Sequence, residues 1–251
     1  MSASTSSSSS SPSKAQSIAG KTSDQSQLQQ PVRLKATIVV QAARHVSPVV
    51  LAGLFMAGFG HLVASPVSTM WAALPVVAAL QLLHAIICLP VAGSSGAIKA
   101  RKQRSGDKKK ATEGSGPNLV ITALLSLLLS VLLAPILHAA MILFGAPLLT
   151  HVSHTFLCAA HLSLLTSFPL FYVHGIDPTV WTSLAGFKAP LDECYGGLLG
   201  GFLGAWLGAV PIPLDWDREW QKWPVTILVG IYAGYLSGRI LGGTLLWGKK
   251  F

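Results

Sequence analysis

The chain has 251 residues, of which 51% are hydrophobic and only 11% charged, with a formal net charge of +9. That charged fraction is less than half the roughly 25% usual in soluble domains, which excludes an ordinary water-soluble fold. The cations lie in flanks and loops between apolar runs, so they read as topology signals and no nucleic-acid partner is expected.

The apolar material falls into segments of about 19 to 27 residues, the length needed to cross a hydrocarbon core of about 30 Å. The expected fold class is therefore all-α, a polytopic membrane protein with about six transmembrane helices. Residues 1–45 are expected to form a disordered cytosolic tail and an interfacial lead-in. The tail is serine- and glutamine-rich, with a serine run from Ser6 to Ser11, and such composition cannot offset its ordering entropy. No apolar region follows Met1, so a cleavable secretory signal is not expected. The piece from Ala36 to His45 carries Gln41 and Arg44 and reads as the interfacial lead-in.

The six-helix domain is placed at residues 46–247. Its first span runs from about Val46 to Ala64, with Pro48 in the first turn, where a missing N–H is tolerated. Ser65 and Pro66 make a tight turn into the second span, about Val67 to Val91, which contains Pro75. Residues 93–117 form a basic loop with Lys99, Arg101, Lys102, Arg104, Lys108, Lys109 and Lys110. It reads as a solvated cytosolic loop, although such a run also suits anionic headgroups. The third span covers about Leu119 to Phe144 and the fourth about Leu148 to Val173. A loop from His174 to Glu193 follows. The last two spans are placed at about Cys194 to Val210 and Pro224 to Trp247, with a 248–251 tail.

These two helices carry glycines at four-residue spacing: Gly196, Gly200, Gly204 and Gly208 on one, Gly230, Gly234, Gly238 and Gly242 on the other. A four-residue step advances about 400°, so each row stays on one side of its helix. Gly197 and Gly201 form a second row. In lipid, close backbone approach through small residues is a main source of helix association. A glycine-ladder helix hairpin at the C-terminal end is thus expected. Its rows serve helix packing within the chain or contact with a partner, and both readings stay open.

Between the two helices lies a turn at residues 211–223, rich in acidic and tryptophan residues. Pro211, Pro213, Asp215, Trp216, Asp217, Trp220 and Trp223 are its candidate contact residues. The tryptophans suit an interfacial belt, and structural anchoring or partner contact is favoured over acid–base work by its carboxylates.

With the N-terminus in the cytosol, one side collects the tail cations, the basic loop, Lys188, Lys249 and Lys250. The other side receives Arg218 and Lys222 only. This asymmetry predicts both termini in the cytosol and the 211–223 turn in the lumen. Arg239 lies within the last span and is expected to snorkel to the cytosolic side.

Metal chemistry has one candidate. His151, His154, Cys158 and His161 fall within an arc of about 80° on the fourth span, and His138 and His84 could join them. Imidazoles at that spacing can bind zinc. No HExxH motif occurs, and no carboxylate lies within the first four spans. Neutral histidines bonding between helices explain the same face, so no metal and no cofactor is expected. Cys88, Cys158 and Cys194 lack CxxC partners and read as buried free thiols.

The run GAWLGAVPIPLDWDREWQKWP, from Gly204 to Pro224, followed by the GxxxGxxxG helix, resembles the phosphatidylinositol-glycan biosynthesis class F family. The resemblance implies a membrane protein of the endoplasmic reticulum in GPI-anchor biosynthesis. It implies an accessory subunit, not an enzyme, whose partners are the large multi-spanning ethanolamine phosphate transferase catalytic subunits and membrane lipid. Contact with the GPI precursor is compatible with it. On the residues alone, a histidine-dependent intramembrane lipid enzyme and a small lipid carrier stay open. A carrier calls for an inverted repeat with paired broken helices, and none is seen. The terminal Gly248-Lys249-Lys250-Phe251 only partly resembles a dilysine retrieval signal.

Overall fold

The computed structural model describes residues 30–35, 37–94, 118–214 and 216–250. The chain divides into residues 1–30 and the unit from Pro31 onward, and it is the second whose structure is described. The serine-rich tail, the loop cations of 95–117 and Asp215 lie outside the described residues.

The helices are α1 (Ile38–Ala64), α2 (Pro66–Cys88), α3 (Leu119–Leu143), α4 (Val152–His174), α5 (Pro178–Ala185), α6 (Glu193–Ala209) and α7 (Val225–Gly243). Five of them, α1 to α4 and α7, are long and apolar enough to cross a membrane, which makes this an all-α, multi-pass membrane protein. At 17 residues, α6 is shorter, about 25 Å at 1.5 Å per residue.

Several boundaries differ from the sequence expectation. The lead-in and the first span are one helix, because Ile38, Val39 and Val40 continue the apolar run with no glycine or proline to stop it. Pro48 therefore sits in the helix interior and not in a first turn, and it leaves the Arg44 carbonyl without its usual N–H donor. The fourth span begins at Val152. His151 precedes it in a left-handed conformation with φ 58°, so it is not on the helix. The loop after α4 contains α5, whose N-cap Asp177 accepts bonds from the Thr179 N–H at 2.9 Å and its hydroxyl at 2.8 Å. Those bonds hold the exposed Asp177 carboxyl below its usual range.

The centre of the bundle is α4. Its membrane-length window is 78% buried, against 50% for α7 and 28% or less for the other three. This helix carries buried polar side chains, Thr155, His161, Ser163, Thr166 and Ser167, and several of its groups bond to neighbouring helices. Ser163 donates to the Ser130 carbonyl of α3 at 2.7 Å. Pro169 cannot donate to the Leu165 carbonyl, and the buried Gln81 amide of α2 does so instead at 3.2 Å. The same amide meets the Tyr235 hydroxyl of α7 at 3.2 Å. One glutamine thus ties three helices and supplies the donor that the proline removes.

At one end of the bundle the chain segments converge. Val32 N–H donates to the Asp192 carboxylate at 2.9 Å, and the Asp192 side chain also caps α6 through Cys194 and Tyr195 N–H groups, each at 2.9 Å. Burial pushes the Asp192 carboxyl up, and these three N–H donors oppose the shift. Leu191 pairs with the backbone of Gly248 and Lys249. The turn at 211–223 sits at the opposite end, between α6 and α7.

Candidate interaction sites and a buried ion cluster

The closest helix pair is α6 with α7, and glycine explains why. A Cβ built on Gly200 would lie 2.8 Å from Gly238 Cα, and on Gly234 2.8 Å from Gly204 Cα, each with a backbone carbonyl oxygen closer still. Gly196 meets Gly238 and Gly242, Gly204 meets Gly230, and Gly208 meets Thr226 and Ile227 in the same antiparallel register. The second row has a different task. Gly201 makes room for the Thr166 methyl of α4, and Gly197 for the Tyr235 ring, 2.9 Å from where its Cβ would stand. Any side chain on these positions forces two backbones, or a backbone and a packed ring, apart.

The seam is closed on the α4 side and open on the other. There it forms a groove of about 510 Å³, walled by Leu199, Leu203, Leu207, Ala233, Ser237 and Leu241, with glycine backbone as its floor. Gly200, Gly230, Gly234 and Gly238 are half-buried along it.

The turn above the seam is held by one side chain. The Gln221 amide donates to the Pro211 carbonyl at 2.7 Å and to the Leu214 carbonyl at 2.6 Å, and its oxygen accepts from Arg218 N–H at 3.2 Å. Trp216 and Trp220 pack edge to face with centroids 5.8 Å apart. Trp223 donates to the Thr155 hydroxyl at 3.1 Å, which docks the turn on the start of α4. Pro213, Trp216 and Asp217 are exposed, and Asp217 adopts φ 48°. Glu219 pairs with Lys222.

The histidines go separate ways. His151 and His154 pack edge to face with centroids 5.0 Å apart. His138 packs edge-on against Phe156. His161 is fully buried, with Nε2 3.1 Å from the Met70 carbonyl and Nδ1 2.9 Å from the Tyr232 hydroxyl. A carbonyl only accepts, so Nε2 carries the proton and Nδ1 accepts from Tyr232, which uses both nitrogens of a neutral ring. Cys88, Cys158 and Cys194 are buried free thiols. Among the described residues, no group of three or more His, Cys, Asp or Glu side chains is placed to hold a metal.

Arg239 does not snorkel. Only 4% exposed, it turns inward, with Nε 3.6 Å from Glu193 Oε2, Nη2 2.9 Å from His84 Nε2 and Nη1 3.4 Å from Ser47 Oγ. Glu193 also pairs with Arg44 of α1, whose Nη2 donates to the Gly243 carbonyl at 2.8 Å. Four helices thus share one ion cluster. The glycine register sets Glu193 level with Gly243 and Gly197 level with Arg239, so the carboxylate reaches the guanidinium from about one turn away.

Fold and site together define a polytopic helical membrane protein with α4 at its centre. The buried Gln81, His161, Ser163, Glu193 and Arg239 side chains join one helix to another. The sequence model of the GPI biosynthesis protein family Pig-F matches residues 46–243, and the chain belongs to that family. It is 57% identical over 221 residues to glycosylphosphatidylinositol anchor biosynthesis protein 11 of Neurospora crassa, covering 88% of this chain and 81% of that protein. Two mammalian relatives are named GPI ethanolamine phosphate transferase, stabilizing subunit. The Mus musculus protein is 34% identical, over 46% of this chain and 55% of its own. The Homo sapiens protein is 32% identical, over 45% and 54%. No solved structure matches the chain.

Proposed function

We propose that this chain is the non-catalytic membrane subunit that binds and stabilises the catalytic subunits of GPI ethanolamine phosphate transferase. The observation that carries the reading is the name stabilizing subunit borne by the two mammalian relatives. The physical arrangement supports it. His161 and Gln81 bond to groups on neighbouring helices and Glu193 pairs with Arg239 inside the fold, while apolar grooves lie open between helices.

In this reading α6 crosses the membrane as a sixth span, locked to α7 as one glycine-seamed hairpin. The open side of the seam receives a transmembrane helix of the catalytic subunit, because glycine backbone admits close approach where lipid chains pack poorly. The 211–223 turn, with exposed Trp216 and Asp217, is the second contact. The organisation is a 1–45 cytosolic tail, a 46–247 transmembrane domain with a cytosolic 93–117 loop, and a 248–251 tail. The membrane is that of the endoplasmic reticulum, with both termini cytosolic and the turn lumenal. Arg33, Lys35, Lys188, Lys249 and Lys250 crowding one end of the bundle supports this orientation.

The test is depletion of the chain from cells, followed by measurement of the transferase catalytic subunits and their recovery with a tagged copy. The expected result is a fall in catalytic-subunit abundance on depletion and specific co-purification in mild detergent. Catalytic subunits that persist at full level and activity without the chain refute the assignment.

A further inference from the structure

A second groove, of about 530 Å³, runs between α1 and α7 at the end of the bundle where α1 begins and α7 ends. Its walls are apolar, from Pro48, Val49, Ala52, Leu236 and Ile240, and its head is ionic, from Arg44, Arg239 and Glu193. A groove with charge at one end and hydrocarbon walls along the rest matches the shape of a lipid.

The charges at its head do not balance. Two guanidiniums face one carboxylate. His45 and Thr244 complete the lining of the groove, His84 and Ser47 bond Arg239, the Asp192 carboxylate accepts from three backbone N–H groups, and Lys35 donates to the Ile86 carbonyl. Arg44 Nη2 covers the Gly243 carbonyl at the end of α7, which removes the negative helix terminus that would repel an anion. The Arg44 side chain is 25% exposed, whereas Arg239 beneath it is 5% exposed. Arg44, partly exposed at the head of the groove, is the guanidinium placed to meet an external anion.

We propose that this groove binds an anionic membrane phospholipid, with its phosphate on Arg44 and one acyl chain along Val49, Ala52, Leu236 and Ile240. Glu193 and the Gly243 carbonyl hold the Arg44 guanidinium in place, and the outward part of that fork presents its remaining donors to the phosphate oxygens. Guanidinium is the side chain suited to this geometry.

The test uses the full chain, purified with its co-purifying subunits, in phosphatidylcholine nanodiscs. A minor component carries a diazirine in one acyl chain, either as phosphatidic acid or as phosphatidylcholine. The expected result is labelling of the Pro48–Ala52 and Leu236–Ile240 peptides by the phosphatidic acid probe, above the labelling of the α3 face at Leu124, Leu128 and Leu132. Arg44→Gln lowers it by about tenfold, the size of one charge-assisted bond, and Arg44→Lys retains part of it. Ala52→Phe fills the apolar wall without touching the ion cluster, and removes labelling from protein that keeps its elution profile. Equal labelling by both probes, or labelling indifferent to Arg44→Gln and Ala52→Phe, overturns the proposal. Loss of labelling in millimolar inorganic phosphate also overturns it, by making free phosphate the occupant.

Discussion

Glu193 and Arg239 face each other across the α6–α7 seam, carboxylate Oε2 3.6 Å from guanidinium Nε, with both side chains buried. Neither is at home there alone. Removing one member of a buried pair typically costs about 3–5 kcal/mol, because the other is left uncompensated. Glu193→Gln strands two guanidiniums and is expected to lower thermal stability in detergent by that order. Adding Arg239→Met to Glu193→Gln should cost less than the sum of the two single changes. A double-variant melt that equals the sum would show that the pair is not coupled.

The glycine seam makes a steric prediction. Gly200→Leu and Gly234→Leu each place a branched side chain where backbone stands in contact. Overpacking typically costs about 1–3 kcal/mol, and the double variant should fall below the level a membrane bundle tolerates. Membrane abundance is the measurement. By contrast, Trp216→Ala at the exposed turn should leave abundance unchanged and lower recovery of the catalytic subunit.

Gln81 and Pro169 form a compensating pair across α2 and α4. Gln81→Leu leaves the Leu165 carbonyl buried and unbonded, a loss of about 1–3 kcal/mol. In a Pro169→Ala background the restored N–H reaches that carbonyl, so the same change should cost less. The remainder reports the Tyr235 hydroxyl, which Gln81 also serves. Thermal melts of the four proteins close the cycle.

The histidines should separate by environment. His151→Gln with His154→Gln alters an edge-to-face pair at the start of α4 and should leave abundance and partner recovery intact. His161→Leu removes the partner of both the Met70 carbonyl and the Tyr232 hydroxyl, and should destabilise by about 1–3 kcal/mol for each polar group orphaned. If metal analysis finds stoichiometric zinc that the histidine variants lose, the non-enzymatic reading falls.

Orientation is tested with reporter tags. Tags at Gly106 and after Lys250 are expected on the cytosolic side and one beside Glu219 on the lumenal side. Finding all three on one side removes the sixth span.

The class of fold was legible in composition alone, because a helix must satisfy its own backbone in lipid and cross about 30 Å. The long apolar runs therefore located α1 to α4 and α7 to within a turn or two. Glycine spacing marked α6 and α7 as surfaces for close approach, since only the absence of a side chain permits it. What those surfaces touch was decided by tertiary structure. The first row meets the other helix's backbone, the second row makes room for Thr166 and Tyr235, and the open flank is left as a groove. Helical periodicity grouped His151 with His154 and His161; the structure keeps His151 beside His154 and buries His161 two turns on, against Met70 and Tyr232. Arg239 read as a snorkelling cation near a helix end. Only the register of α6 against α7, with α1 and α2 alongside, brings Glu193, His84 and Arg44 to it. Pairings of that kind depend on which faces of separate helices meet. Spacing along one helix carries no information about its neighbour.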